Sequence, residues 1–269
     1  MICIEVLGPL RVRVDGRDIA PSAAKPRAML ALLACDAGRT VLTEAIIEEL
    51  WGDEVPRSAT TTLQTYVMQI RNHIAAALEG SGRSSDVARS VLVTRGRGYE
   101  LAIGPDGTDL TRYERYADEG RRAAEAGDEV VALRSLRAAL ALWRGSALAG
   151  VRAGSLLAAQ VAKLEESRLS LLVQALQLEL EVGNHDRVVG ELAALAERYP
   201  LHETLQGLYM VALYRAGRRE RALQTYRRLH ATLDDRLGLE PLSSVQRLHG
   251  AMLTHTPGRD LLVRSAPGR

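Results

Sequence analysis

Cysteine is scarce: Cys3 and Cys35 are the two that 269 residues contain. They lie far apart, each on an apolar face, so two buried free thiols are expected rather than a disulfide or a metal site. Lysine is as rare, Lys25 and Lys163 being the whole supply, and arginine carries the rest of the positive charge. Arginine forks suit phosphate and guanine, but a genome rich in G and C produces the same bias, so the preference alone decides nothing. No run approaches the roughly 18 apolar residues that a membrane helix needs. The opening MICIEVLGPL passes into a charged, alternating stretch without a signal-peptide pattern, and a cytoplasmic protein with no membrane partner is expected.

Catalytic signatures are missing as well. The sequence has no G-x-x-x-x-G-K-[ST] phosphate loop, no G-x-S-x-G elbow and no H-E-x-x-H pair. Gly96-Arg97-Gly98 runs into Tyr99-Glu100-Leu101 instead of a glycine-opened helix, so it fails as a dinucleotide fingerprint. The six histidines show no metal-ligand spacing. The expectation is a non-enzyme with no catalytic residue, no metal and no cofactor.

What is present is a change of period along a chain long enough for two domains. Ile2, Ile4 and Val6, then Val12 and Val14, alternate between the turn pieces Gly8-Pro9 and Asp15-Gly16, which predicts a small antiparallel sheet of about three strands. From Pro26, the set Met29, Leu30, Leu32 and Leu33 predicts a first helix. Thr43 stands as N-cap to a second that Gly52 ends. A third opens at Ser58 or Ala59 and buries Leu63, Val67, Ile70 and Ile74; the polar run 79–85 stops it. Two strands, Val91 to Arg95 and Gly98 to Ile103, follow as a hairpin. Strands, three helices and a hairpin make a winged helix-turn-helix, ending at the boundary Gly104-Pro105-Asp106-Gly107.

Beyond it the pattern is helical throughout. Gly183 and Gly217 lie 34 residues apart, the period of tetratricopeptide helix pairs. Gly127, Gly183 and Gly217 are followed at matching offsets by Ala132, Leu133 and Leu136; by Val188, Val189 and Leu192; and by Ala222, Leu223 and Tyr226. The fold class is therefore mainly α: an N-terminal α+β winged helix-turn-helix over 1–105, an all-α tetratricopeptide-like domain over 109–256, and a loose tail over 257–269.

The formal net charge is only +2, so a case for nucleic acid must rest on where charges sit. If the apolar stripe of the third helix faces the core, Thr61, Thr65, Met68, Gln69 and Asn72 face outward, flanked by Thr62 and Arg71. Gln and Asn bond adenine edges, Arg reads guanine or holds phosphate, and Thr offers a hydroxyl and a methyl. The competing reading is a solvated polar face. Between Arg57 and Tyr99, Arg57, Arg71, Arg83, Arg89, Arg95 and Arg97 face only Glu79 and Asp86. Thr43 to Glu54 holds Glu44, Glu48, Glu49, Asp53 and Glu54 with no base. One small domain is thus polarised, its basic side suited to phosphate and its acidic side left for a protein partner. Arg95 and Arg97 either reach the flanking minor groove or phosphates or stand solvated at the hairpin tip. Lys25 and Arg27 either hold phosphate or form an ordinary surface pair.

Leu63-Gln64-Thr65-Tyr66-Val67, Arg95-Gly96-Arg97-Gly98-Tyr99-Glu100-Leu101, Leu142-Trp143-Arg144-Gly145, Ala212-Leu213-Tyr214-Arg215-Ala216-Gly217-Arg218 and Leu237-Gly238-Leu239-Glu240-Pro241 occur in that order. Together they resemble the Streptomyces antibiotic regulatory protein family over residues 2 to 256. The resemblance implies an OmpR-type winged helix followed by a bacterial transcriptional activation domain. It implies activation of a secondary-metabolite, commonly antibiotic, gene cluster from direct repeats near the −35 region, as a dimer on double-stranded promoter DNA. RNA polymerase holoenzyme, with its sigma factor and alpha C-terminal domain, is the implied partner. Thr61, Thr62, Thr65, Gln69, Arg71 and Asn72 fall in the implied recognition helix, Arg95 and Arg97 in the wing, and Glu48, Glu49, Asp53 and Glu54 where OmpR-type proteins meet polymerase. Larger members add an ATPase module; without a phosphate loop, nucleotide control and a phosphorylation receiver are not expected here. The alternative of another class is a repeat scaffold whose helical surface binds a protein or a small effector.

Overall fold

The computed structural model describes residues 2–80, 84 and 86–254. The expected tail over 257–269 and Arg83 lie outside the described residues. The chain forms two compact units, one of Met1–Arg122 with Arg137–Leu169, the other of Ala123–Leu136 with Ser170–Arg269.

The first unit opens on an antiparallel sheet of β1 (Ile2–Glu5), β2 (Arg11–Val14) and β3 (Arg17–Asp18). Ile2 pairs with Val14 and Ile4 with Val12, which puts the alternating apolar set on one buried face. The β2–β3 turn is Asp15-Gly16, both at positive φ (47° and 86°), the geometry whose twist suits a tight hairpin. Helix α1 (Ala24–Cys35) starts two residues before the expected Pro26; Pro26 still falls among the first four residues, whose N–H groups have no intrahelical acceptor. Residues Ala28 to Ala34 of α1 are all buried, as befits a helix apolar on every side.

Strand β4 (Thr40–Leu42) and helix α4 (Val87–Val91) were not expected, whereas α2 (Thr43–Trp51), α3 (Ala59–Glu79), β5 (Leu92–Arg95) and β6 (Gly98–Leu101) fall within a residue or two of their expected places. Thr43 is the first residue of α2 and not its cap: its N–H donates to the Arg97 carbonyl at 2.9 Å. The second sheet runs β4-β6-β5. Glycine is required at Gly98, because a Cβ there would lie 2.3 Å from the Val41 carbonyl oxygen of β4. In α3 the stripe Leu63, Val67, Ile70 and Ile74 is buried as expected, each at 3% exposure or less.

The turn Gly104 to Gly107 does not end this unit. Ile4 N–H donates to the Gly107 carbonyl at 2.8 Å, and α5 (Asp109–Glu125) begins on a buried carboxylate that accepts Val6 N–H at 2.7 Å and Leu7 N–H at 3.0 Å. Arg144 donates to the Pro9 carbonyl, and its own N–H donates to Leu7. After α6 (Glu129–Ala141) the chain reaches α7 (Ser155–Glu181). The N-terminus of α7 is closed by Glu49 of α2, whose carboxylate accepts from Gly154, Leu156 and Leu157 N–H at 2.6, 2.9 and 3.1 Å. A Cβ at Gly154 would meet the Glu49 carbonyl at 2.3 Å. Tyr113 and Trp143 pack edge to face at 5.7 Å, and the Tyr113 hydroxyl bonds Ser167.

In the second unit, α8 (His185–Arg198), α9 (Glu203–Arg215), α10 (Arg219–Leu237) and α11 (Ser243–Leu253) pack in succession. The three repeat glycines share one turn. Gly127, Gly183 and Gly217 all have positive φ, and each donates to the carbonyl three residues back while the next residue reaches the carbonyl five back, as in Asn184 N to Glu179 O at 2.8 Å. That is the Schellman closure. Five residues on, Ala132, Val188 and Ala222 are each buried.

Two outcomes are expected. Glu49→Ala strands three N–H donors and should cost about 2–4 kcal/mol of unfolding free energy, read from the urea midpoint, with Glu49→Gln intermediate. Burial pushes the Cys35 thiol up to about 12, so at pH 8 it stays protonated in the folded chain. A thiol-disulfide reagent should label Cys35 far more slowly in the folded chain than after denaturation, with the native-state rate climbing about tenfold per pH unit.

Candidate nucleic-acid interface

The exposed face of α3 is set by its buried one. With about 100° per residue, Thr61, Thr65, Met68 and Asn72 stand opposite the apolar stripe, and all four are exposed. Gln69 is exposed at one flank of this face, and Thr62 is half-buried. Gln64, passed over in the sequence, is exposed as well and stands at the other margin of the face, farther from its middle than Gln69. That marginal place on the helical wheel is why sequence carried no signal for Gln64. Thr65 returns its hydroxyl to the Thr61 carbonyl at 3.1 Å. The face is therefore amides, hydroxyls and one thioether, without a charge at its centre.

Arg71 has a different place from the one expected. Its Nε and Nη2 donate to the Leu92 carbonyl at 2.9 and 2.7 Å, and Nη2 also reaches Thr94 Oγ1 at 2.9 Å. Both acceptors are on β5. The guanidinium thus straps β5 to α3, because a carbonyl and a hydroxyl meet its planar fork at fixed distance. Burial pulls its pKa below the usual arginine range.

The wing tip is arginine, but each arginine has an acid beside it. Arg95 Nε lies 3.0 Å from Glu100 Oε2, and Arg97 pairs with Glu44 of α2. The Arg97 and Glu44 side chains are 84% and 59% exposed, so water screens the pair and a phosphate can replace the carboxylate at little cost. Glu44 is held below the usual carboxylate range, first by the backbone N–H it accepts in the first turn of α2 and then by Arg97.

Lys25 and Arg27 are engaged inside the fold. The Lys25 ammonium lies 4.4 Å from the centre of the Trp51 ring, which stacks on Tyr66 of α3 at 6.3 Å. Arg27 donates to the Leu10 and Pro21 carbonyls at 3.0 and 3.4 Å. Both pin the start of α1, which leaves no guanidinium there for phosphate. Two arginines outside the expected set, Arg57 before α3 and Arg89 on α4, are exposed. Of the acidic residues, Glu48, Asp53 and Glu54 are exposed, but Glu49 is 5% exposed and caps α7. Glu49 is consequently corrected from a surface contact to an internal cap. Among the described residues no group of His, Cys, Asp or Glu could hold a metal, and no helix is long and apolar enough to cross a membrane.

Two family models divide the chain. The transcriptional regulatory protein, C-terminal model matches residues 20–101, and the bacterial transcriptional activator domain model matches 108–253. The chain is 44% identical over 257 residues to the regulatory protein DnrI of Streptomyces peucetius, covering 96% of this chain and 94% of that one. The chain belongs to the Streptomyces antibiotic regulatory protein family of transcriptional activators. It is 36% identical to the regulatory protein AfsR of Streptomyces coelicolor, spanning 94% of itself but 24% of that longer protein. A solved structure, Mycobacterium tuberculosis EmbR in complex with a low affinity phosphopeptide, superposes with a TM-score of 0.85 at 31% identity, covering 96% of this chain and 67% of that one. The transcriptional regulatory model thus falls on α1 to β6, a stretch that includes α3 and the β5–β6 turn.

The geometry separates two kinds of variant. Arg71→Ala should lower stability by about 1–3 kcal/mol, since it leaves the Leu92 carbonyl without its charged donor. Gln64→Ala, Gln69→Ala and Asn72→Ala, which remove side chains in solvent, should stay within about 0.5 kcal/mol of the parent. Denaturant curves of the four purified chains test this.

Proposed function

We propose that the chain activates transcription of a secondary-metabolite, commonly antibiotic, gene cluster by laying α3 in the major groove of promoter DNA and the β5–β6 wing on the adjacent backbone or minor groove. The observation that carries the reading is the exposed, uncharged hydrogen-bonding face of α3 set beside an arginine-tipped wing. Gln64, Gln69 and Asn72 supply bidentate amides for adenine, Thr61, Thr62 and Thr65 supply hydroxyl and methyl contacts, and Arg95 and Arg97 exchange their carboxylate partners for phosphate. The DNA-binding part lies within 1–105 and the activation domain over 109–256.

Two copies occupy direct repeats near the −35 region. Copies on one face of the duplex require repeats spaced by about 10 to 11 base pairs. Glu48, Asp53 and Glu54 form the acidic shoulder that meets polymerase holoenzyme, through its sigma factor or alpha C-terminal domain. Their exposure and their freedom from base-reading duty support that assignment.

A mobility shift on promoter fragments of the chain's own cluster, with nonspecific competitor and with or without holoenzyme, tests this. Specific retardation strengthened by holoenzyme is expected; no shift at any salt concentration would overturn the reading. Asn72→Ala should relax discrimination at one base pair by about 1–3 kcal/mol. Arg97→Ala should weaken all sequences alike and lower the salt slope by about one. Charge reversal at Glu48, Asp53 and Glu54 should leave the DNA shift intact while abolishing its enhancement by holoenzyme.

A further inference from the structure

The second compact unit carries a groove that DNA recognition leaves unused. It encloses about 480 Å³ between α8, α9 and α10, with Arg221, Thr225, Arg228, Thr232 and Arg236 of α10 along one wall. These five follow each other at steps of three or four residues, the spacing that keeps side chains on one helical face. Three guanidiniums therefore recur along about 22 Å of helix. Thr225 and Thr232 turn their hydroxyls onto the Arg221 and Arg228 carbonyls at 2.9 and 2.7 Å, so they do not compete for what the arginines would bind.

The arginines themselves are lightly held. Arg221 donates to the Tyr209 hydroxyl at 3.3 Å. Arg228 stands 3.9 Å from Glu197, with side-chain exposures of 78% and 85%. Arg236 is exposed and has no ion pair among the described residues. Glu197 is the one acid among the described residues of the lining, so the wall carries a clear positive excess over a floor that Ala193, Ala196 and Leu229 make apolar. Gln206 sits below the floor, its amide already donating to the Ala196 carbonyl at 2.8 Å.

We propose that this groove docks an acidic, extended peptide segment of a partner protein. The spacing of the arginines suits an extended chain. A DNA duplex, whose major groove alone is about 12 Å wide, does not enter the groove. An extended chain does. Successive arginines are seven and eight residues apart on α10, or about 10 to 12 Å. That distance is three to four residues of extended chain at about 3.3 Å each. Carboxylates at every third or fourth position would meet successive guanidiniums, while apolar residues between them rest on the floor.

The test uses the full chain and fluorescence anisotropy of a labelled, otherwise neutral peptide bearing glutamate at every third or fourth position. A control peptide of the same composition has its glutamates gathered at one end. Saturable binding of the spaced peptide is expected, weaker for the control, and weakened about tenfold or more by combined Arg221→Gln, Arg228→Gln and Arg236→Gln. The promoter shift of the same variant should be unchanged. Should the triple variant lose helical signal, single Arg228→Gln and Arg236→Gln chains replace it, since both side chains stand in solvent. No saturable binding, or equal binding by the variants, overturns the proposal. If a duplex loses affinity in the variants and the peptide never binds, the groove belongs to nucleic acid instead. Because peptide binding is read without DNA, its failure leaves promoter recognition standing.

Discussion

A helix that starts inside a protein presents N–H groups with no acceptor, and leaving them so costs far more than an ordinary hydrogen bond returns. In the first compact unit the chain meets this constraint by carrying carboxylates to the donors over a hundred residues of sequence. Glu49 leaves α2 to accept three N–H groups at the start of α7, and Asp109 leaves the start of α5 to accept two from the segment after β1. The surrounding packing depends on these contacts. Gly154 has to be glycine because the Glu49 backbone approaches it so closely, and Arg144 can reach the Pro9 carbonyl only where the β1–β2 connection is held against Asp109. Burial raises the Asp109 pKa, the opposing N–H bonds and Arg144 notwithstanding. This is therefore a group that favours the folded state more at acid pH and less as pH rises past the ordinary carboxylate range.

Those contacts run across the turn read from glycine and proline at 104 to 107. Local composition reports where the backbone bends, whereas packing is decided by groups that meet across long separations. The family models place their own division at the same turn, between residues 101 and 108. A module defined by its sequence can still supply acceptors to its neighbour, as Asp109 does for the Val6 and Leu7 N–H groups.

What could be read directly were the elements with a strong period. The stripe of α3, the Asp15-Gly16 hairpin and the 34-residue glycine repeat each express a local rule, and each takes the predicted form. Strand β4 was illegible because three residues hold no usable alternation, and its pairing with β6 exists only once Gly98 lets the backbones approach. The internal partners of Arg71, Lys25 and Arg27 were illegible for one shared reason. A polar side chain at the edge of a helix face looks the same in sequence whether it points to water or to a carbonyl of a neighbouring element. Glu49 is the sharpest case, since it sits among exposed acids and differs from them only in what lies opposite.

These placements bear on how the proposed recognition would divide its labour. Arg71, Lys25 and Arg27 are held by groups of the fold, and the centre of the outward α3 face is uncharged, with Arg97 beside it paired to the exposed Glu44 and Arg95 to the half-buried Glu100. Hydrogen-bonding amides discriminate bases but attract DNA weakly at a distance, while surface ion pairs of small net worth can trade a carboxylate for a phosphate with little penalty. On the proposed reading, specificity belongs to groups that α3 holds rigidly against the core, and salt-sensitive affinity to side chains at the β5–β6 turn. The strap from Arg71 to β5 ties the strand that leads to that turn directly to α3. If those two elements are the ones that meet DNA as proposed, loosening the strap would weaken binding without removing a single contact to DNA, through loss of the fixed spacing between them.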